Sequence, residues 1–202
     1  STLFPYTTLF RSERCGEALD ADLEWLDSPA HHLLPLTSPH YPPLLANTVG
    51  APPALYVRGS VEVLSTPQLA MVGSRNPTAS GRETAFEFAA HLARCGLAIT
   101  SGLAEGIDAA SHRGALAGGG VTLAVCGTGL DRVYPEHHAE LAQAIAVSGA
   151  LVSEFPPRTP PRRENFPQRN RLISGLSLGT LVVEAARQSG SLIQRSDRKS
   201  VV

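Results

Sequence analysis

The sequence predicts an α/β fold built on a doubly wound, mostly parallel Rossmann-like sheet. Two observations predict it. From Gln68 onward, short apolar runs alternate with helical segments, the order expected of successive βαβ units. The runs are also apolar without period-two alternation, as in parallel strands covered on both faces. Bulk composition permits such a core: of 202 residues, 43% are hydrophobic and 17% charged, ordinary values for a globular chain.

The elements follow in order. Glu13 to Leu26 carries Leu19, Leu23 and Leu26 at helical spacing, which predicts the tail of a helical segment. Ser28 to Pro53 is rich in proline and histidine and reads as an extended linker wrapping a domain, with His31 and His32 in surface or packing roles. Leu55 to Val57 is a short strand. Leu69 to Val72 opens the regular part and closes on Gly73. Ser80 to Arg94 is a strong helix, with Ser80 as its cap and Phe86, Ala89, Ala90 and Ala93 on one face,. Gly96 stops it. Strands are expected over 97–100, 121–125, 150–152 and 181–183. Helices are expected over 107–117, 136–147 and 169–175.

Both ends read as foreign to the fold. Thr2 to Ser12 (TLFPYTTLFRS) and Asp197 to Val202 (DRKSVV) resemble in-frame translations of sequencing-library adapters, and are set aside as fusion scars are. The expected division is then an artefact over 1–12, a remnant helical region and linker over 13–53, an incomplete core over 54–193, and a join with artefact over 194–202. The sheet is expected to be truncated at its C-terminal end.

Several classes are disfavoured. No apolar run approaches the ~20 residues that span a bilayer, and there is no secretory pattern, so a cytoplasmic chain is expected. Cys15, Cys95 and Cys126 are far apart and odd in number; they read as free thiols and not as a metal cluster or a disulfide framework. The adjacent His137 and His138 point apart on a helix and read as surface or capping residues. There is no GxxxxGK[ST] loop, and Gly127-x-Gly129 lacks the third glycine of a dinucleotide fingerprint. No cofactor and no metal are expected. The formal net charge of −1 requires any nucleic-acid site to be local.

In open parallel sheets, ligands bind beyond the carboxyl ends of the strands. Those ends carry Gly73-Ser74-Arg75, Ser101-Gly102 and Gly127-Thr128-Gly129. Glycine lets backbone N–H groups approach a phosphate, and a following helix N-terminus adds partial positive charge. Phe155 to Arg171 adds Arg158, Arg162, Arg163, Arg169 and Arg171, interleaved with Phe155 and Phe166. Arginines that track a backbone and aromatics on which bases stack make up a single-strand binding surface. Glu154 and Glu184 end apolar strands and are candidate buried carboxylates for an enzyme reading. Ser101 and Ser111 lie near His112, but no GxSxG elbow is present.

Read together, the motifs resemble the DNA processing protein A (DprA/Smf) family. Val72-Gly73-Ser74-Arg75, Ser101 to Asp108 (SGLAEGID) with His112, and Gly127 to Asp131 with Tyr134-Pro135 match its blocks in order. So do Ser153-Glu154-Phe155-Pro156, Phe166 to Ser177 (FPQRNRLISGLS), Val183-Glu184-Ala185 and Ser189 to Ile193. The resemblance runs from about Tyr41 to Ile193. It implies an extended Rossmann fold without enzymatic chemistry that binds single-stranded DNA, delivers it to the recombinase RecA and acts as a homodimer. It implies DNA contact by Arg75, and less firmly by Arg169 and Arg171. The interface expected on all these grounds comprises Gly73, Ser74, Arg75, Ser101, Gly102, Gly127, Gly129, Phe166, Arg169, Asn170 and Arg171. Glu136 stands where some members carry a lysine after the Tyr-Pro pair.

Two rivals remain at the level of sequence. Gly179-Thr180 with Glu184 loosely resembles the PGGxGTxxE signature of the lysine-decarboxylase-like group, which cleaves nucleoside monophosphates. A protein-interaction scaffold without ligand is the other.

Overall fold

The computed structural model describes residues 13–184, with side chains from residue 19. The adapter-like tails, Cys15's side chain and the Ser189–Ile193 motif lie outside the described residues. Seven strands form one sheet in the order β1-β2-β6-β5-β4-β3-β7. These are β1 (His31–Pro35), β2 (Ala54–Gly59), β3 (Gln68–Gly73), β4 (Ala98–Gly102), β5 (Thr122–Val125), β6 (Ala150–Ser153) and β7 (Gly179–Val183). The helices are α1 (Glu13–Leu26), α2 (Pro43–Ala46), α3 (Ala79–Arg94), α4 (Ile107–Ala117), α5 (Ala139–Ser148) and α6 (Asn165–Leu176). From β6 through β7 neighbouring strands are parallel, whereas β1–β2 and β2–β6 are antiparallel. The doubly wound, mostly parallel sheet is therefore present.

Alternate strand residues serve two cores, which is why the runs look uniformly apolar. Ala70, Val72, Leu123 and Val125 pack with Leu45, Leu172, Ile173 and Leu176 on the α2/α6 face. Met71, Ile99 and Ala124 point to the other face, covered by α3, α4 and α5. Leu45, Leu123, Leu172 and Ile173 are 1% exposed or less, each contributing about 1.5–3 kcal/mol by burial.

α3 and α4 approach closely because small residues meet. Ala85, Ala89 and Ala93 are buried in that layer, and a Cβ on Gly114 or Gly118 would press on the α3 carbonyls of Phe86 or Ala90. Ser80 does not cap α3. Thr78 does: its hydroxyl accepts from the Gly81 N–H at 3.0 Å. The helix begins one residue earlier than its apolar periodicity suggests, and Ser80 falls inside the first turn.

The Ser28–Pro53 stretch is more ordered than a linker. Its HHLLP run pairs with β2 as the edge strand β1. Alternation there is masked by two histidines and a terminal proline, which an edge strand tolerates. His31 packs flat on Trp25, with ring centroids 4.2 Å apart, and its Nδ1 lies 2.6 Å from the Trp25 carbonyl.

Candidate nucleic-acid interface

Because β3, β4 and β5 are parallel neighbours, their carboxyl ends emerge side by side,. α6 packs beneath all three and brings its N-terminal half to the opening. The result is an open groove of about 660 Å³. Of the expected interface residues, Arg75, Gly127, Phe166, Arg169 and Asn170 line it. Arg75 is exposed, and its guanidinium carbon lies 5.8 Å from the centroid of the Phe166 ring. Tyr134 meets the same ring at 5.7 Å in a tilted contact. A cation and two aromatic rings thus share one wall. Phe166 fits there because position 127 is glycine: a Cβ would lie 3.0 Å from the ring.

The floor carries buried charge. Arg169 is 4% exposed and donates to the Val125 carbonyl. Asp108, at the start of α4, is 7% exposed. Burial pushes its carboxyl above the usual range, opposed by the Arg169 guanidinium, the Ser101 hydroxyl and the Ala104 N–H. Burial also pulls Arg169 down, opposed first by Asp108. A guanidinium starts so high that it stays charged, so a cation is set beneath the groove with the Asp108 carboxyl close by. Gly102 leaves the space for both, since a Cβ there would collide with the guanidinium and the carboxylate.

Arg171 behaves differently. Two residues further along α6 it lies about 200° around the axis. It pairs with Glu154 and donates to the Gly50 carbonyl, away from the groove. That separation follows from helical spacing once 169–175 is read as a helix.

The glycine-rich ends are used mainly for packing. The Ser74 N–H donates to the Glu184 carbonyl at 2.7 Å, the Ile107 N–H to the Ser74 carbonyl at 3.1 Å, and the Gly129 N–H to the Thr159 carbonyl at 3.1 Å. A Cβ on Gly73 would collide with the Val183 carbonyl. Ser101 is fully buried, with its hydroxyl 2.5 Å from the Met71 carbonyl. Gly106, at φ +76°, brings its turn against the backbone of Ser74 and Arg75. The Ser74, Ile107 and Gly129 amides are thus engaged inside the fold.

Residues outside the expected interface complete the lining, among them Glu105, Cys126, Arg163, which the sequence placed in the arginine-rich loop, and Tyr134 of its Tyr-Pro motif. His138 is a buried residue and not a surface one: its Nδ1 lies 3.0 Å from the Leu103 carbonyl, pinning the turn after β4. His137 lies beside it: the two rings meet edge-on with centroids 4.5 Å apart, and the His137 Nε2 lies 3.3 Å from Glu105 Oε1 in the same turn. The expectation that the two point apart is therefore corrected: from the 3₁₀ turn Glu136–His138 both rings reach residues 103–105, one buried and one exposed. Glu184 is an exposed strand-end carboxylate that accepts from the Thr78 N–H (2.8 Å) and hydroxyl (2.7 Å) at the start of α3. It is not the buried carboxylate expected.

Residues 32–197 match the family model described as DNA recombination-mediator protein A. The chain belongs to this family. It is 49% identical over 178 residues to protein Smf of Escherichia coli, covering 88% of this chain and 48% of the relative. It is 40% identical over 161 residues to DNA processing protein DprA of Bacillus subtilis, covering 79% and 54%. The chain thus spans about half the length of these curated relatives. Among solved structures of the family, DprA of Streptococcus pneumoniae superposes with a TM-score of 0.82 at 36% identity, over 96% of this chain and 67% of that one. DprA of Helicobacter pylori, whose structure concerns a single-stranded-DNA binding mode, gives 0.74 at 30% identity over 81% and 74%.

Proposed function

We propose that this chain binds single-stranded DNA in the groove beyond β3, β4 and β5, as the DNA-binding part of a non-enzymatic recombination mediator. The observation that carries the reading is the wall on which the Arg75 guanidinium stands over Phe166 beside Tyr134. Arginine answers phosphate, and aromatic faces take bases of any sequence at about 1–3 kcal/mol each. Arg163 lengthens the basic edge, and the Arg169 charge below adds to the field. The single-strand binding named for the Helicobacter pylori relative supports the same reading. Gly73, Ser74, Ser101, Gly102 and Gly129 act in it by shaping the loops; Arg171 acts through the Glu154 side.

Groups that an enzyme would use are engaged otherwise. Burial pushes the Cys126 thiol up to about 11, so it remains a neutral thiol at pH 7. The Glu184 carboxylate is occupied at Thr78. In the whole protein, we further assign the bound strand to protection and delivery to RecA in the cytoplasm, by a homodimer.

The test is fluorescence anisotropy of a labelled oligo-dT across a salt series. Binding should weaken linearly on a log–log plot, and Arg75→Ala should make the slope shallower by roughly 0.7 for each phosphate that Arg75 neutralises. An unchanged affinity and slope in Arg75→Ala would remove the groove from consideration.

A further inference from the structure

Glu105 is a carboxylate in a groove whose other charged lining groups are Arg75, Arg163 and Arg169. It sits in the turn between β4 and α4. His137, from the segment between β5 and α5, holds its Oε1 at 3.3 Å, and both side chains are 59% exposed. Tyr134, three residues before His137, belongs to the aromatic wall with Phe166. The acceptor and the base platform therefore share one groove.

A carboxylate repels the phosphates of a strand. Its favourable partners are N–H donors, and in a nucleic acid those lie on the bases. Guanine presents N1–H and N2–H side by side, a match for two carboxylate oxygens. Cytosine and adenine each present an amino group, and carboxylates accept from cytosine N4. Thymine offers a single N3–H flanked by two carbonyl oxygens, which a carboxylate repels. We propose that Glu105, oriented by His137, selects bases in this groove: it favours amino-bearing bases, guanine foremost, and disfavours thymine. This rests on the reading of the groove as the single-strand site. The arginines then hold the phosphates, while Glu105 supplies a preference that stacking lacks.

The experiment is competition anisotropy with the full chain and a labelled oligo-dT. Unlabelled competitors of equal length are all-thymine strands and strands in which a few separated thymines become guanine, cytosine or adenine. Guanine-containing strands should compete about fivefold better than all-thymine strands, the lower end for a partly exposed charge-assisted pair. Glu105→Gln should lose the guanine advantage and bind all-thymine strands more tightly, because a repulsive charge has gone. Equal competition by every strand overturns base selection and leaves the groove reading standing, as does a guanine preference that persists in Glu105→Gln. Failure of the folded chain to bind any strand overturns both.

Discussion

The two sides of this sheet solve different problems with the same elements. On the antiparallel side, β1, β2 and α1 close on themselves. Trp25 stacks on His31, the Tyr56 hydroxyl reaches Asp22 at 3.1 Å, and Arg171 is tied to Glu154. On the parallel side, three strand ends emerge together and leave an open groove with an arginine beneath it. Parallel strands send their connections off at one end, so loops converge and surfaces stay unfilled. The antiparallel strands β1 and β2 are joined through residues 36–53, a connection that packs back on the sheet through Tyr41 and Leu45. Arg169 and Arg171 make the contrast on one helix: similar residues, one serving each side.

The largest expected effect tests that contrast directly. Arg169→Ala removes a buried guanidinium, its bond to the Val125 carbonyl and the positive charge near the buried Asp108, and should cost about 3 kcal/mol in urea unfolding,. Arg169→Lys should recover part of it. If Arg169→Ala unfolds like the parent, the floor of the groove is not held by charge.

A second effect is tied to pH. His112 is fully buried beneath the same loops, its Nε2 2.6 Å from the Gly102 carbonyl. That carbonyl only accepts, so the neutral ring carries its proton on Nε2. Nδ1 and the Ile99 carbonyl, each 2.7 Å from the Thr122 hydroxyl, compete for that hydroxyl's one proton. Burial pulls the imidazole down from 6.5 to about 4. In that window the unfolded chain binds the proton and the folded chain does not. The stability contribution is therefore fully present above 6.5 and is lost as pH falls towards 4, by roughly 3 kcal/mol in all. Asp108, shifted upward, contributes with the opposite sign. The measurement is accordingly the difference between parent and His112→Gln, whose unfolding should lose this part of the acid slope. Equal slopes would mean that His112 takes up its proton as readily in the fold as in the unfolded chain.

Arg171→Ala should cost about 2 kcal/mol, since the Glu154 side chain it leaves is 8% exposed,. It should alter oligo-dT affinity less than Arg75→Ala does. A larger affinity loss than at Arg75 would merge the two sides of the comparison. The smallest effect concerns helix entry: Thr78→Ala should cost about 1 kcal/mol, whereas Ser80→Ala should cost almost nothing. The reverse order would return the cap to Ser80.

The parallel half was legible because its signals are local. Uninterrupted apolar runs, glycines at their ends and helical periodicity each identify an element without knowledge of its neighbours. β1 was not legible, because an edge strand is defined by its partner, and HHLLP has neither length nor clean alternation. At the groove, Arg75 and Phe166 could be named from motif and residue type. Their contact could not, since it depends on α6 lying under β5 and on Gly127 leaving space for the ring. Glu105 escaped notice because one carboxylate in a turn looks like a solvated charge until His137 is set beside it. The tethering of Glu184 to Thr78 joins residues 106 positions apart, a separation that no local pattern encodes.

That tether has a temporal side. Loop 73–75, which presents Arg75, is held by a strand made much later: the Ser74 N–H and the Thr78 N–H both end on Glu184. At roughly 5–20 residues per second, synthesis takes on the order of 5–20 s to pass from Thr78 to Glu184. Over that interval a nascent chain on the ribosome gains the β4, β5 and β6 ends and then α6, and until its close it lacks the residue that fixes its first loop. A growing polypeptide therefore acquires the means to grip a strand only near the close of this segment, after the groove's walls already exist.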